Sequence, residues 1–515
     1  MSAAAPAVRP GVHPWLVAPV VALAAFMEVL DISVANVALP HIAGDLSVSR
    51  DESTWILTSY LVANAIIMPI TGWLAARFGR KRLFLSCIAA FTIVSLLCGL
   101  APSLPVLVLL RALQGAAGGG LQPTGQAILN DAFPPEKQGM ATAVYGVAVV
   151  VAPAIGPSLG GWITDNYDWR WVFLINVPVG ALLLFLIGTL VKTPNEAPSA
   201  QRSAVDWTGF WLIAASLGCL QIALDRGQEY DWFASGMITT LCAVSAIAFV
   251  FLIWWELQHA NPMVNLRLLK RRNFAVSFFL MFMLGFMIFG TTYLLPAFAQ
   301  YVMGYQATQA GELLMPGGLL LMALFPLVGR ILNRVDLRVL IGIGIVLAAL
   351  ALLWMTNFYE GISFGTLALG RVYQYLGLAF LFLPINALGF GDIPPGQTNY
   401  GSALINLARN FGGSVGVAFT STLVTRRMQL HQSHLVGHLQ SLDPAYPGFL
   451  RQLGQATHAA PGGAATLAHA SQIVQQQASL LSYLDGFKAL AVLFLLLLPV
   501  LLLARPGTAA ARAPT

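Results

Sequence analysis

Long apolar segments separated by short polar ones run through almost the whole chain. Fourteen of them reach about the 20 mostly apolar residues that a helix needs to cross a bilayer. Only 9% of the residues are charged, against about 25% in an ordinary soluble domain, which excludes a soluble globular fold. The pattern predicts an all-α polytopic membrane protein with spans at 15–40, 53–75, 82–101, 105–130, 139–163, 170–191, 207–224, 236–256, 274–301, 308–331, 337–356, 363–390, 398–424 and 484–504.

The basic residues indicate which ends of these spans face the cytoplasm. Of the 27 Lys and Arg residues, 17 fall in alternate loops and the termini, seven fall in the opposite loops, and three lie inside spans. Because cytoplasmic loops carry the excess of Lys and Arg, both termini are predicted to be cytoplasmic. The net charge of +6 therefore belongs to short membrane loops, and nucleic acid is not expected as a partner.

Two acidic residues, Glu28 and Asp31, lie within the first apolar segment. An ionised carboxylate near the middle of a bilayer costs roughly 2.5–3.5 kcal/mol even on the mildest insertion scale. Residues three apart share a helix face, so both side chains are expected to point the same way. We predict that the pair binds and releases protons, with Asp31 as the first choice. A structural acid satisfied by an arginine or by backbone donors is the alternative, and Glu28 could instead face a cationic substrate.

Other polar residues at membrane depth are candidates for the same site. A buried arginine needs an acceptor or water, so Arg111 is expected to shape the electrostatics of the proton site from a neighbouring helix. A static ion pair is the alternative for Arg111, and an interfacial position is the alternative for Glu312. Further candidates for coupling or substrate binding are Gln114, Glu312, Arg371 and Arg409.

The two halves of the chain repeat each other. The repeat makes spans 1–6 equivalent to spans 9–14 and leaves spans 7–8 as an insertion. Two repeated bundles around a site at the membrane midplane are typical of alternating-access transporters. The matching positions are Gly72 and Arg77 with Gly329 and Arg334, Arg111 and Gln114 with Arg371 and Gln374, and the glycine-rich stretch 156–161 with 412–416.

Small residues mark two places where conformational change is expected. Glycines in the fifth span let helices approach closely, and a proline permits a bend, although ordinary tight packing is the alternative. The basic turn between the second and third spans fits a latch for the outward-open state and equally a topology signal. The residues concerned are Gly156, Pro157, Gly160 and Gly161 in the span, and Gly72, Arg77, Gly79 and Arg80 in the turn.

Together these motifs resemble those of the major facilitator superfamily, in particular the fourteen-span drug:proton antiporters of its EmrB/QacA branch and the EmrB-type multidrug efflux pumps. The resemblance covers essentially the whole chain and includes the first-span sequence LDISVANVALP at 30–40. Ala76 departs from the pattern, because many members carry an Asp there, and Ala152 stands in a usual Gly position. The resemblance implies a major facilitator fold of two six-helix bundles plus two inserted helices.

The resemblance also implies a function, a location and partners. A proton-driven exporter of hydrophobic, drug-like molecules is expected in the bacterial inner membrane, in contact with lipid. EmrB-type pumps work with a periplasmic adaptor of EmrA type and an outer-membrane channel of TolC type, so both are expected partners. A carrier for a specific metabolite, such as a fatty acid or a siderophore, is the alternative.

Nothing in the sequence suggests an enzyme or a nucleotide-driven pump. The glycine-rich stretch 115–120 lacks the Lys-Ser/Thr that completes a phosphate-binding loop, and it lies in an apolar segment. An ion gradient is therefore the expected energy source, and neither a cofactor nor a metal ion is expected. No cluster suited to catalysis stands out in the loops.

One long segment, 425–483, falls outside the membrane spans and is predicted to be an extracytoplasmic loop and a contact for the adaptor. His431, His434 and His438 could share a helical face there, and a solvated face is favoured over a metal site. The predicted organisation is a tail 1–14, an N-terminal bundle 15–191, a linker 192–206, inserted helices 207–256, a basic linker 257–273, a C-terminal bundle 274–504 and a tail 505–515.

Overall fold

The structure is a computed structural model that describes residues 14–191, 205–259, 261–394, 396–437, 446–456, 458, 460 and 463–506. These residues are helical or lie in turns, with no strand among them. Thirteen helical spans in this part of the chain are long and apolar enough to cross a membrane. They are α1 (Pro14–Asp45), α2 (Trp55–Phe78), α3 (Arg80–Gly99), α4 (Leu104–Ala132), α5 (Lys137–Asn166), α6 (Trp171–Leu190), α7 (Trp207–Arg226), α8 (Gly236–Gln258), α9 (Arg272–Tyr301), α10 (Thr308–Ile331), α11 (Leu337–Met355), α12 (Phe364–Phe390) and, after the helix α13 (Thr398–Gly437), α14 (Ala464–Leu503).

The helix α13 is long but too polar to count among the thirteen apolar spans. Its first half carries Asn399, Ser402, Asn406 and Arg409, all of them buried. Because these side chains face protein, the helix does not need an apolar sequence on that side. The all-helical fold is confirmed, whereas the count of fourteen crossings and the cytoplasmic termini stay predictions. We use "outer" for the ends predicted to lie outside the cytoplasm and "inner" for the opposite ends.

Several spans are broken near glycine or proline. The span α2 tightens into a 3₁₀ turn over Met68–Ile70, which contains Pro69. The span α4 consists of two helices, Leu104–Gly118 and Leu121–Ala132, joined at a pair of glycines. Such breaks are tolerated in membrane helices because neighbouring helices satisfy the freed backbone groups.

Two hydrophobic cores divide the molecule, in agreement with the repeat. One core is built from α1 to α6 and includes Phe84, Phe91 and Phe173. The other is built mainly from α9 to α14, with Phe298 and Phe325 among its large side chains, and it takes in residues of α7 and α8. The inserted spans therefore pack with the second core, while α7 also contacts α2 of the first bundle.

The two bundles meet at both ends of their interface. At the inner end, a Cβ placed on Gly329 of α10 would lie 3.2 Å from the carbonyl oxygen of Gly139 on α5. At the outer end, a Cβ on Gly161 of α5 would lie 3.3 Å from Thr308 Oγ1 of α10. Backbones that approach this closely require small residues. The structure therefore represents a state in which the bundles touch on both sides.

The segment 425–483 differs from the prediction of a loop. The helix α13 continues to Gly437, a short helix covers Tyr446–Ala456, and α14 begins at Ala464. The Ala, Gln and Leu residues of these stretches have high helix propensity, so the two membrane helices extend beyond the apolar segments. The extensions form an outer hairpin, which we define as residues 425–437 and 464–483.

The histidines of the outer hairpin do not assemble a metal site in the described residues. His431 Nε2 lies 2.8 Å from Asp485 Oδ2 on α14, whereas His434 is exposed. His438 lies outside the described residues. Within the described part of the chain, no group of three His, Cys, Asp or Glu side chains could hold a metal ion.

Candidate functional site

Both acids of the first span are buried inside the N-terminal bundle: Glu28 is 0% exposed and Asp31 is 1% exposed. Asp31 is in a direct ion pair, because Arg111 Nη1 donates to its Oδ2 at 2.6 Å. Gln114 Nε2 and Asn176 Nδ2 donate to its other oxygen, Oδ1, at 3.1 and 2.7 Å. In this state Asp31 is therefore an acid satisfied by an arginine, which was the alternative interpretation of its sequence position.

Arg111 is fully buried and is held from several sides. Besides the ion pair, its Nη1 donates to Gln114 Oε1 at 2.7 Å, and its Nε donates to the backbone carbonyl of Ile56 at 3.3 Å. The guanidinium carbon lies 4.3 Å from the ring centre of Tyr60, within the range of a cation–π contact. The structure thus brings Arg111 next to Asp31 and adds Gln114, a further candidate, to the same cluster, and the role of these residues in coupling stays a prediction.

Glu28 has a different environment from Asp31. Asn64 Nδ2 donates to its Oε1 at 3.0 Å, and Gln122 Nε2 donates to its Oε2 at 2.5 Å. Both donors are neutral amides from other helices of the same bundle. Among the described residues, Glu28 thus has hydrogen bonds from amides and lacks the direct ion pair that Arg111 forms with Asp31.

Gln122 connects Glu28 to the opposite bundle. Its Oε1 accepts a hydrogen bond from Nη2 of Arg409, which lies on α13. The backbone carbonyl of Gln122 also accepts from the hydroxyl of Tyr145 at 3.2 Å. A continuous chain of hydrogen bonds therefore runs from an acid on α1, through α4, to a cation of the C-terminal bundle. This chain exists only while the two bundles are in contact at this level.

A second polar contact crosses the interface beside the first. Gln126 Nε2 donates to Asn386 Oδ1 at 2.7 Å, and Asn406 Nδ2 donates to Gln126 Oε1 at 2.6 Å. Ser402 Oγ donates to the carbonyl of Pro123 at 2.7 Å. The contact between α4 and the helices α12 and α13 is thus a buried layer of amides and hydroxyls, whose groups satisfy one another.

Sequence reasoning missed the amide residues of this region because it followed charged residues. The available signal was their position: each is an amide side chain inside a segment that is otherwise long and apolar, where polar residues are costly and usually paired. The residues missed are Asn64, Gln122, Gln126, Asn176, Asn386 and Asn406.

The repeated arginine of the second bundle has hydroxyl and amide groups, and no carboxylate, as its hydrogen-bond partners among the described residues. Arg371 Nη1 donates to Thr291 Oγ1 and to Gln374 Oε1, both at 2.8 Å. Its Nη2 donates to Thr292 Oγ1 at 2.5 Å and to the hydroxyl of Tyr375 at 2.7 Å. Arg371 is fully buried, so hydroxyl and amide acceptors take the place of the acid that faces the equivalent arginine.

The glycines of α5 allow close packing against α1, the helix that carries both acids. A Cβ on Gly156 would lie 2.3 Å from Ser33 Oγ, which is far inside van der Waals contact. A Cβ on Gly160 would lie 3.0 Å from the carbonyl oxygen of Val34. The motif therefore positions the acid-bearing helix within its own bundle.

The same motif also touches the other bundle. A Cβ on Gly311 of the C-terminal bundle would lie 2.8 Å from Pro157 Cβ, and Gly161 faces Thr308. Glu312 follows Gly311 but is exposed. The four residues of the motif thus lie between α1 and the outer closure of the bundles, whereas Glu312 is not part of the buried polar cluster.

The turn between α2 and α3 also contacts the opposite bundle, at the inner end. A Cβ on Gly72 would lie 2.8 Å from the ring of Tyr400 and 2.9 Å from its Cα. Arg77 lies over the ring of Trp73, with its guanidinium carbon 5.3 Å from the ring centre. Position 72 therefore requires a glycine, because α2 touches α13 there.

A carboxylate from another helix reaches the basic turn at Arg80. Gly79 ends α2 with a φ of 82°, a conformation that glycine adopts without strain. Arg80, the first residue of α3, forms an ion pair with Asp131 at the inner end of α4. Asp131 thus supplies a negative charge to this turn, where Ala76 departs from the pattern of related transporters.

Comparison with known proteins agrees with this architecture. Residues 21–417 match the family model of the Major Facilitator Superfamily. The chain is 38% identical over 488 residues to the fatty acid resistance protein FarB of Neisseria gonorrhoeae and, equally, to the multidrug export protein EmrB of Escherichia coli K12. Both alignments cover 94% of this chain and 94% of the relative. The probable multidrug resistance protein EmrY of E. coli K12 is 36% identical over 96% of this chain and 95% of its own.

Solved structures share the fold at low sequence identity. The human organic anion transporter MFSD10 (TETRAN) superposes with a TM-score of 0.59 at 15% identity, covering 95% of this chain and 99% of its own. The proton:xylose symporter XylE superposes with a TM-score of 0.56 at 15% identity, covering 94% of each chain. The relatives are transporters, which confirms the prediction of a carrier rather than an enzyme.

Proposed function

Because this chain belongs to the major facilitator superfamily, a family of membrane transporters, we propose that it exports hydrophobic, drug-like compounds in exchange for protons. Its similarity to EmrB and EmrY supports this class of substrate. Alternating access between the two bundles would carry the substrate out and the proton in. One proton crossing 100 mV releases about 2.3 kcal/mol, enough for roughly a 50-fold substrate gradient.

The observation that carries the proposal is the environment of Glu28. A fully buried carboxyl group held by two neutral amides is costly to keep ionised, because no cation in the described part of the chain forms an ion pair with it. Asp31, in contrast, is in direct contact with a guanidinium, which compensates its charge in an ion pair. We therefore assign the transported proton to Glu28 and give Asp31 and Arg111 the supporting electrostatic role, which reverses the order of the sequence-based hypothesis.

The contact of Gln122 with Arg409 offers a way to couple protonation to movement. Opening the bundles at this level separates Gln122 from Arg409 and changes the hydrogen bonds available to Glu28. The charge state of Glu28 and the position of the C-terminal bundle are then linked, as exchange transport requires. Arg409 acts on Glu28 through Gln122 and is in this sense a positioning residue.

We further propose that the protein resides in the bacterial inner membrane and works with a periplasmic adaptor of EmrA type and an outer-membrane channel of TolC type. The outer hairpin supports this idea, because it extends α13 and α14 beyond the apolar segments and presents exposed apolar side chains. These include Leu430, Val436 and Leu467.

A carrier for a specific lipophilic acid is a second candidate function. The observation that favours it is the 38% identity to FarB, whose name describes fatty acid resistance. The two functions share the fold and the proton site and differ in the substrate. Competition between a long-chain fatty acid and a fluorescent dye for export separates them.

Efflux of a fluorescent hydrophobic cation from energised cells, with and without a protonophore, tests the main proposal. The wild-type protein should export the dye until the protonophore is added, and Glu28→Gln should abolish export at an equal amount of protein in the membrane. The export rate of Asp31→Asn is measured in the same assay for comparison with that of Glu28→Gln. Wild-type export that survives the protonophore would overturn proton coupling, and a wild-type protein that moves no dye would overturn the substrate class.

A further inference from the structure

The inserted spans α7 and α8 are joined at their outer end by a connection that touches both bundles. We call residues 225–234 the outer strap; they include the last two residues of α7 and the 3₁₀ turn Trp232–Ala234. Spans α7 and α8 have no counterpart in the repeat, so their role does not follow from the two-bundle architecture. The side chains of the outer strap provide evidence for a role.

The first end of the strap is attached to the N-terminal bundle. Asp225 accepts a hydrogen bond from Thr58 of α2. Arg226 is 1% exposed, and its guanidinium carbon lies 4.5 Å from the ring centre of Trp55, also on α2. Glu229 accepts from Arg226 Nη1 at 2.8 Å and holds the guanidinium in place. The strap therefore begins with a buried, charge-assisted attachment to α2.

The other end of the strap is attached to the C-terminal bundle. Trp232 Nε1 donates to Thr422 Oγ1 of α13 at 2.9 Å. Asp231 accepts from Arg426 Nη2, one turn further along α13, at 2.8 Å. The ten residues of the strap thus bridge α2 and α13, two helices that belong to different bundles.

The backbone of the strap is held in an uncommon conformation at the bridging residues. Asp231 has a φ of 52° and Trp232 a φ of 51°, in the left-handed region that a tryptophan rarely adopts. Such strain persists where surrounding contacts determine the conformation. Gly227 makes room for the turn, because a Cβ there would lie 2.7 Å from the ring of Trp232.

At their inner ends, the inserted spans α7 and α8 are hydrogen-bonded to each other. Asp206, just before α7, accepts from the backbone N–H of Gly209 and from Trp255 Nε1 of α8, both at 2.8 Å. These bonds close the α7–α8 pair without crossing to α2. Among the described residues, the side-chain hydrogen bonds and ion pairs that join the inserted pair to both bundles therefore lie at its outer end, whereas its apolar side chains pack along the spans.

We propose that the outer strap holds the outer ends of the two bundles together, so that the inserted spans set the balance between closed and outward-open states. Outward opening must separate α2 from α13 and therefore must break the contacts of Trp232 and Asp231 with α13. Weakening these contacts favours the outward-open state without altering the buried acids. The inference concerns conformation alone and holds whichever ion or substrate the protein carries.

The test measures the outer separation of the bundles directly. Spin labels at Asn166→Cys, the last residue of α5, and Asn357→Cys, just after α11, report the distance between the outer ends by pulsed electron paramagnetic resonance. Trp232→Phe removes the indole donor, and Asp231→Asn removes the charge while keeping a residue that tolerates the left-handed conformation. The background variant lacks the native cysteines Cys87, Cys98, Cys219 and Cys242.

Each strap variant should raise the outward-open fraction about two- to fivefold, the change expected for loss of one exposed ion pair or hydrogen bond. Arg426→Ala should raise the outward-open fraction as much as Asp231→Asn does. Combining Arg426→Ala with Asp231→Asn should raise it no further, because both changes break the same ion pair. Arg426→Lys should keep most of the closed fraction that Arg426→Ala loses. Asp168→Asn is the matched control, because it breaks an outer ion pair with Arg170 that stays within the N-terminal bundle.

Distance distributions that remain unchanged in Trp232→Phe, Asp231→Asn and Arg426→Ala would overturn the inference, provided that these variants keep the melting temperature of the parent. An equal shift in Asp168→Asn would overturn it as well, since the effect would then be a general loss of outer charge. A failure here leaves proton coupling untouched, because dye export and its sensitivity to a protonophore are measured separately.

Discussion

Thr291 on α9 occupies in the second bundle the place that Asp31 occupies on α1 in the first. Asp31 accepts from Arg111 and Gln114, and Thr291 accepts from Arg371 and Gln374, in the same arrangement. The repeat therefore preserves the arginine and the glutamine and exchanges the acid for a hydroxyl. Within the described residues, a carboxylate contacts the repeated arginine in the first bundle and not in the second, which makes the two halves chemically unequal at the site.

This asymmetry predicts unequal losses of stability when each of the two residues is replaced by the other. Asp31→Thr leaves the buried Arg111 without its carboxylate and should destabilise the protein by about 3 kcal/mol, the lower part of the range for a broken buried pair. Thr291→Asp gives Arg371 a carboxylate and should cost less than about 1 kcal/mol. Thermal unfolding in detergent compares the two variants, and equal losses of stability would contradict the assignment of the ion pair.

Glu28→Gln should separate exchange from coupling. Glutamine has nearly the same volume and can still bond to Asn64 and Gln122, so we expect a folded protein. Because the amide carries no titratable proton, uphill export should fall at least about tenfold, while substrate counterflow with no proton gradient should continue. Proteoliposomes loaded with dye measure both activities. Uphill export at the wild-type rate would show that the transported proton binds elsewhere.

Gly156→Ala should destabilise the N-terminal bundle by about 1–3 kcal/mol, because its Cβ would meet the side chain of Ser33. Combining it with Ser33→Gly should recover part of this loss, since the colliding atoms are then absent. Gly188→Ala is the matched control, because no described atom beyond its own stretch of helix lies within 4 Å of a Cβ at that position. The apparent melting temperatures of the variants are compared. A decrease in the melting temperature of Gly188→Ala as large as that of Gly156→Ala would contradict a packing role for the motif.

Shortening the outer hairpin tests the proposed adaptor contact. Replacing residues 432–477 by a short flexible linker should abolish export to the medium while leaving insertion and movement of dye across the inner membrane intact. The hairpin lies between the apolar segments 398–424 and 484–504 of the sequence, so its loss should spare the membrane core. Assays of dye release from whole cells and from inverted vesicles separate the two steps. Unchanged release from whole cells would rule out the hairpin as an essential contact.

Much of the architecture follows from one-dimensional patterns. Long apolar segments predicted the membrane helices because the bilayer fixes the length and composition of a span. The recurrence of Arg-x-x-Gln predicted the two bundles, and the rarity of acids at membrane depth drew attention to Glu28 and Asp31. The outer hairpin was misread as a loop, because low hydropathy distinguishes membrane from water and says nothing about helix outside the membrane.

The roles within the site depended on contacts that sequence distance conceals. Arg111 and Asp31 are 80 residues apart, and Gln122 and Arg409 are 287 residues apart. Whether an acid receives a guanidinium or an amide depends on which helices are neighbours and how each is rotated about its axis. Hydropathy alone does not specify that rotation for helices that are apolar on most sides.

The sequence by itself therefore determined the class of protein, the repeat and the buried acids, since these depend on the cost of placing each residue type in a membrane. Only the tertiary structure decided that Asp31 forms an ion pair with Arg111, that the hydrogen-bond donors described for Glu28 are amides, and that the inserted spans bridge the bundles. Those outcomes are pairings between side chains of distant segments, and a pairing is a property of the packed helices rather than of any one of them.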